Sequence, residues 1–147
     1  MGKKIAVIGF GAAAIGYIDE LKDSTHNIHI FEMSKDVISS SLSGIRSDGK
    51  MFVSKEMGGN LDIPIELQKK VVDYYIEKSE LKNEEVEHGD CFTNKNSELY
   101  RKFYINGFVP VSSEFFHIGT DVLKTVMKNI YEDFEKRDNI EFRFNSI

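Results

Sequence analysis

The sequence has 147 residues, enough for one compact domain with a real core, and its 41% hydrophobic and 29% charged composition is ordinary for a soluble globular chain. The net charge is −5 with acids and bases interspersed, so no basic stripe points to a nucleic-acid partner, and no apolar run approaches the length of a membrane span. A single cysteine, Cys91, excludes an intrachain disulfide and fits a cytoplasmic setting.

Lys3 and Lys4 followed by the apolar run Ile5 to Ile18 imitate a secretory signal. Gly9, Gly11 and Gly16 argue against one, because each costs about 1 kcal/mol in a helix interior. The run is better read as structure. Ile5, Ala6, Val7 and Ile8 form a short continuous apolar segment, the pattern of a parallel strand buried on both faces. Gly9-Phe10-Gly11 stops it. Ala14, Ile15, Ile18 and Leu21 then recur at helical spacing with Asp19, Glu20 and Lys22 opposite. Asp23-Ser24-Thr25 breaks the helix, and Ile28 and Ile30 alternate with His29 up to Phe31 and Glu32. Residues 4–32 thus read as a strand, helix and parallel strand joined by a right-handed crossover. This is an α/β pattern of Rossmann-like type.

Residues 34–61 change character. They are rich in Ser and Gly, with little periodicity, although Met51-Phe52-Val53 reads as a short strand. Residues 62–107 read as helical. Asp62 is placed to cap a helix with Pro64 in its first turn and Leu67, Val71, Val72, Tyr75 and Ile76 inward. Lys78 to Asp90 is charged and reads as a loop. Ser97 is placed to cap a second helix with Leu99, Tyr100, Phe103 and Tyr104 inward, ended by Gly107. Phe108-Val109-Pro110-Val111 is extended. A last helix follows, with Gly119 or Thr120 at its cap, Asp121 in its first turn and Leu123, Val126, Met127, Ile130 and Phe134 as its inner stripe. Ile140, Phe142 and Phe144 form a third core strand, so that residues 119–145 supply a helix and a strand. The sequence stops at Ile147 directly after that strand, and we expect the parallel-sheet domain to be incomplete.

Gly9-x-Gly11-x-x-Ala14 carries the binding chemistry. Gly9 permits a tight turn, Gly11 lets a phosphate approach the backbone, and Ala14 keeps the helix close to the sheet. The free N–H groups at the start of the helix, around Ala12 and Ala13, would face a pyrophosphate. Glu32 follows at roughly the 20-residue spacing of an acid that accepts ribose hydroxyls. The combination reads as a dinucleotide site. A simple nicotinamide domain would bring its third strand soon after Glu32. Here a long segment intervenes, which favours an FAD-type arrangement. His117 reads as structural, with phosphate contact as its alternative, and His26 and His29 as surface residues. We find no metal constellation and no hydrolytic triad.

Ile45-Arg46-Ser47-Asp48-Gly49-Lys50 with Ser54-Lys55-Glu56-Met57-Gly58-Gly59-Asn60-Leu61 resembles the "SDGK … GGNL" segment of a family of FAD-dependent dehydrogenases. His117-Ile118-Gly119-Thr120-Asp121 and Phe142-Arg143-Phe144-Asn145 are similar to that family's "HIGTD … RFN" segment. The family shares the architecture of the glutathione-reductase-type flavoproteins, and its members are longer than this chain. The resemblance implies an FAD/NAD(P)-binding domain, FAD held at Gly9, Gly11, Ala12, Ala13, Ala14 and Glu32, and the Ser47-Asp48-Gly49-Lys50 segment near the pyrophosphate or flavin. It implies the N-terminal portion of an oxidoreductase whose remaining C-terminal part would complete the site, with an unidentified small-molecule substrate and NAD or NADP as a possible second cofactor. Ala14 stands where the family usually has glycine, and Ile18 where it has a small residue, so the helix must pack differently against the sheet. The competing reading is a small regulatory module that binds NAD(H) or ADP without catalysis.

Overall fold

The structure is a computed structural model. It describes residues 1–37, 48–58 and 61–146, so the readings of Ser47, of the Ser/Gly-rich stretch between 38 and 47, and of Gly59 and Asn60 lie outside the described residues. The fold is α/β. Two compact units are present, the first comprising Met1–Gly49, Lys78–Glu80 and Gly119–Ile147, the second Lys50–Glu77 and Leu81–Ile118.

The first unit is built on a three-stranded parallel sheet. Its strands are β1 (Lys4–Ile8), β2 (Asn27–Phe31) and a last strand, Ile140–Arg143, which we number β6. Helix α1 (Ala12–Leu21) joins β1 to β2, and helix α4 (Thr120–Glu135) precedes β6. The strand order is β1-β2-β6. Each step moves the same way across the sheet, so right-handed crossovers put α1 and α4 on one face. The register aligns Ile5, Ile28 and Ile140, and then Val7, Ile30 and Phe142, in rows on that face. Ile28 and Ile30 are wholly buried, as are Ile15 and Ile18 of α1. The large Ile18 therefore fits under the helix here. Helix α4 buries Leu123, Val126, Met127, Ile130 and Phe134, the stripe its sequence predicts.

The opposite rows are Ala6, His29 and Glu141, then Ile8, Phe31 and Arg143. Here Ala6, Ile8, Glu141 and Arg143 are exposed. This overturns the expectation that β1 is buried on both faces. Among the described residues it lies at the sheet edge, both helices cover the other side, and Ile8 keeps 81% of its surface. His29 is half-buried rather than a surface residue, with Nδ1 2.8 Å from Glu141 Oε2.

The second unit contains an antiparallel sheet of β3 (Lys50–Val53), β4 (Glu87–Cys91) and β5 (Ser113–His117), with β5 in the middle. β3 matches the expected short strand. β4 and β5 were hidden in the sequence. β4 lies at an edge with Glu87, His88 and Asp90 exposed, so pairing with β5 rather than burial holds it, and its composition shows no apolar alternation. The charged stretch from Lys78 is therefore not one loop: a helix ends at Ser79, a short 3-10 turn covers Asn83–Glu85, and β4 follows.

That helix, α2, runs Ile65–Ser79, and its last two residues group with the first unit. Asp62 does not cap it. The Pro64 carbonyl accepts from Leu67 and Gln68, which makes Pro64 the boundary, while Asp62 binds Lys55 at 2.7 Å. Nor do Leu67 and Val71 point inward: both remain half exposed, and of the residues expected inside Val72 is the one fully buried. The inner face is shifted to Ile65, Gln68, Val72, Tyr75 and Ile76 because Gln68 is held by the backbone. Its amide accepts from Ser54 N at 2.9 Å and donates to Ser54 O at 3.1 Å and Ile63 O at 3.0 Å.

Helix α3 (Glu98–Ile105) is capped as expected by Ser97, whose hydroxyl accepts from Tyr100 N. Its expected inner face is nonetheless mostly exposed, and none of its residues is buried. It meets Phe92 and Phe108 through Tyr100 and Phe103. Leu99, Tyr104 and Ile105 remain in solvent.

Candidate nucleotide-binding turn

The candidate site lies at the carboxyl ends of the parallel strands, where open α/β sheets present ligand sites. The ladder between β1 and β2 continues through Gly9 N, which donates to Phe31 O at 2.8 Å. Gly9 then turns the chain with φ +84°, in the left-handed region that disfavours side chains. A Cβ there would meet no atom within 4 Å, so the demand for glycine is conformational rather than steric.

Gly11 is different. It is the N-cap of α1 and is extended, with φ −92° and ψ −179°, a conformation open to any residue. No side chain caps the helix, and no acid stands in its first turn. The first intrahelical bond is Ile15 N to Gly11 O at 2.9 Å, which leaves the N–H groups of Ala12, Ala13 and Ala14 ahead of the ladder. Ala12 and Ala13 are exposed and Ala14 is half-buried. Their methyl side chains leave the helix end approachable, and the dipole there favours an anion.

Phe10, between the two glycines, is fixed at both ends. Its ring is 1% exposed and packs edge-on against Phe142 at 5.0 Å and Phe134 at 6.2 Å. Its N–H donates to Glu32 Oε2 at 2.9 Å. The acid expected beside the turn is therefore bonded to it. Glu32 is buried, and its other oxygen, Oε1, accepts from Ser34 N at 2.9 Å and Ser34 Oγ at 2.7 Å. Burial pushes its carboxyl up. The bonds from the Ser34 backbone and hydroxyl, Phe10 and Met33 outweigh that and hold it below the usual glutamate value, so it is a carboxylate at neutral pH. The strand exits are tied as well: Glu32 N donates to Arg143 O at 2.9 Å, Ser146 N to Glu32 O and Asn145 N to Ser34 O, each at 3.0 Å. Arg143, with its guanidinium carbon 5.3 Å from the Phe31 ring centroid, is paired to Glu141 at 2.9 Å.

Gly9, Gly11, Ala12, Ala13, Ala14 and Glu32 are thus brought to one end of the sheet. Sequence reasoning missed Phe10 and Ser34. A bulky aromatic between two turn glycines was a signal for the first, and a serine two residues beyond the acid is too common to signal the second.

The Asp48-Gly49-Lys50 residues have other surroundings. Gly49 is buried with φ +75°, and a Cβ on it would lie 2.9 Å from Gly119 O. Gly119, φ +87°, is the N-cap of α4, so glycine at 49 permits a close backbone approach to that helix start. Asp48 is exposed, and Lys50 begins β3, opposite His117, in the second unit. His117 ends β5, and its Nδ1 lies 3.0 Å from Glu87 Oε2 on the neighbouring strand. Cys91 is a half-buried free thiol. Among the described residues no group of three His, Cys, Asp or Glu side chains could hold a metal, and no helix is long and apolar enough to cross a membrane.

No protein-family model and no curated protein matches this chain. What can be said of its chemistry comes from the site itself: a left-handed glycine turn, a helix start whose first N–H groups stand ahead of the helical ladder and an anchored carboxylate at adjacent strand tips. Such a set offers donors to an anion and an acceptor to a hydroxyl.

Proposed function

We propose that this chain is the N-terminal portion of an FAD-dependent oxidoreductase and binds the ADP moiety of FAD through the Gly9–Ala14 turn and Glu32. The observation that carries the reading is the bond from Phe10 N–H to Glu32. It joins the turn and the acid across adjacent parallel strands, beside the helix N–H groups of Ala12 and Ala13. The residues fit the group. The helix start would hold the pyrophosphate, and the carboxylate would face the ribose. The flavin would supply the redox chemistry, and no residue of this chain is assigned a catalytic role.

Two further observations support FAD over a small nicotinamide or ADP module. No strand of the parallel sheet lies between β2 and β6 among the described residues, and a separate unit with its own antiparallel sheet occupies much of the interval. The SDGK, GGNL, HIGTD and RFN segments resemble those of FAD-dependent dehydrogenases. Among the described residues no strand pairs with the outer edge of β1, which suits a sheet that continues, with the remaining part of the enzyme supplying more strands and the substrate site.

The test is Gly11→Val. The extended backbone at Gly11 accepts valine, and the loss of a glycine N-cap costs about 1 kcal/mol or less. Binding of FAD or ADP, measured by calorimetry, should be abolished while the protein stays folded. Unchanged affinity overturns the phosphate site. A protein that copurifies with NAD and never takes up FAD moves the reading to the regulatory module.

A further inference from the structure

The bonds around Glu32 carry a consequence for affinity, which rests on the nucleotide site proposed above. A carboxylate offers about four acceptor positions. Glu32 spends one on Phe10 N and two on the backbone and hydroxyl of Ser34, and the Met33 N–H acts on it as well. A ribose presents two more donors. One of the present donors must give way for the carboxylate to accept even one of them.

The four are not equally replaceable. The Phe10 N–H is fixed because its ring is locked between Phe134 and Phe142. The Ser34 N–H is fixed because the Ser34 carbonyl is itself held by Asn145 N at 3.0 Å. Met33 acts through its backbone N–H, which belongs to the main chain next to the acid. Only the Ser34 hydroxyl, 2.7 Å from Oε1, sits on a freely rotatable bond. It can leave by turning about χ1, without moving the main chain.

We infer that the Ser34 hydroxyl and a ribose hydroxyl compete for the same oxygen of Glu32, which makes Ser34 an affinity-setting residue of the nucleotide site. Ser34 is half-buried and lies just beyond the acid, where the ribose must come to reach it. Removing the hydroxyl leaves the backbone donors in place and frees one acceptor position.

The experiment compares Ser34→Ala with the unaltered chain against two probes, ADP and 2′,3′-dideoxy-ADP, by calorimetry. Ser34→Ala should bind ADP about tenfold more tightly, the effect of one charge-assisted bond no longer displaced. It should bind the dideoxy compound no better. Ser34→Thr keeps the hydroxyl and should return ADP affinity to that of the unaltered chain. A structural effect of position 34 would move both probes alike, and that result overturns the inference. So does weaker ADP binding by Ser34→Ala, which would make the hydroxyl a ligand contact. If none of the three proteins binds ADP, the nucleotide site itself fails and the inference with it.

Discussion

Helices α4 and α3 have similar sequence patterns and opposite fates. Both place apolar residues at helical spacing. α4 buries five of them, Leu123, Val126, Met127, Ile130 and Phe134, against its own sheet. α3 buries none, and Leu99, Tyr104 and Ile105 keep 57%, 62% and 79% of their surface. Two pairs of phenylalanines divide in the same way. Phe10 and Phe134 are each 1% exposed in the first unit, while Phe103 and Phe108 of the second are 40% and 62% exposed. A periodic apolar stripe reports which residues share a face. It does not report whether anything covers that face, since coverage depends on elements far away in the chain.

The strongest way to break this comparison is to truncate one aromatic residue in each unit. Phe10→Ala should cost about 3–5 kcal/mol, the usual range for a wholly buried phenylalanine that leaves a cavity. Phe103→Ala, from a side chain with much less surface to lose, should cost about 1 kcal/mol. Denaturant titration of both variants measures the difference. Equal losses would show that the exposed ring carries as much packing as the buried one.

How far the sequence could be read follows the same division. Around the parallel sheet, local signals coincided. The apolar run Ile5–Ile8, the glycine turn, the period change at Ala14 and the acid at Glu32 all pointed to one arrangement. The stripe of α4 was equally plain. What stayed hidden depends on partners. β5 contains Glu114 and His117 beside two phenylalanines, and β4 is almost all polar, so neither shows a strand pattern until they are paired. The face of α2 was misjudged by about one position, because Gln68, a polar residue, turns inward to bind Ser54. At the site, spacing located the glycines and the acid. It could not show that Phe10 is a core residue or that Ser34 shares the carboxylate.

Glu32 sharpens the comparison on the polar side, since it is a buried charge satisfied within the first unit. Glu32→Gln keeps the shape but replaces one carboxylate oxygen with an NH2 group, which cannot accept from the surrounding N–H groups. A loss of about 1.5–3 kcal/mol is expected, the range for hydrogen bonds to a charged group. The loss should depend on pH. The folded-state value is depressed, so the carboxylate's contribution is fully present above the unfolded value near 4.5 and disappears as pH falls through the lower folded value. The gap between the unaltered chain and Glu32→Gln should therefore be widest at neutral pH and close under acid. A gap that stays constant into acid would remove the charge from the explanation.

Gln68 is its neutral counterpart in the second unit. Gln68→Ala deletes three bonds that tie α2 to Ser54 and Ile63 and leaves the Ser54 N–H without its acceptor. Because the site is only half-buried, water can replace part of what is lost. The expected cost is about 1–2 kcal/mol in an unfolding titration. A negligible cost would return the register of α2 to Leu67 and Val71.

The smallest effect belongs to α3, and it decides what the exposed stripe means. Ile105 is the last residue of that helix and is 79% exposed, so replacing it removes little buried surface. Ile105→Ser changes helix propensity by only a few tenths of a kcal/mol at a fraying end. The expected stability change lies within about 0.5 kcal/mol, as for other surface positions. A loss above about 1.5 kcal/mol would mean that Ile105 is packed in the folded protein in solution. An eight-residue helix is too short to be stable in water by itself, so its contacts with Phe92 and Phe108 must then be joined by others. The contrast between α3 and α4 would in that case be one of timing along the chain, with the partner of α3 arriving from elsewhere, rather than a contrast between a covered face and a bare one.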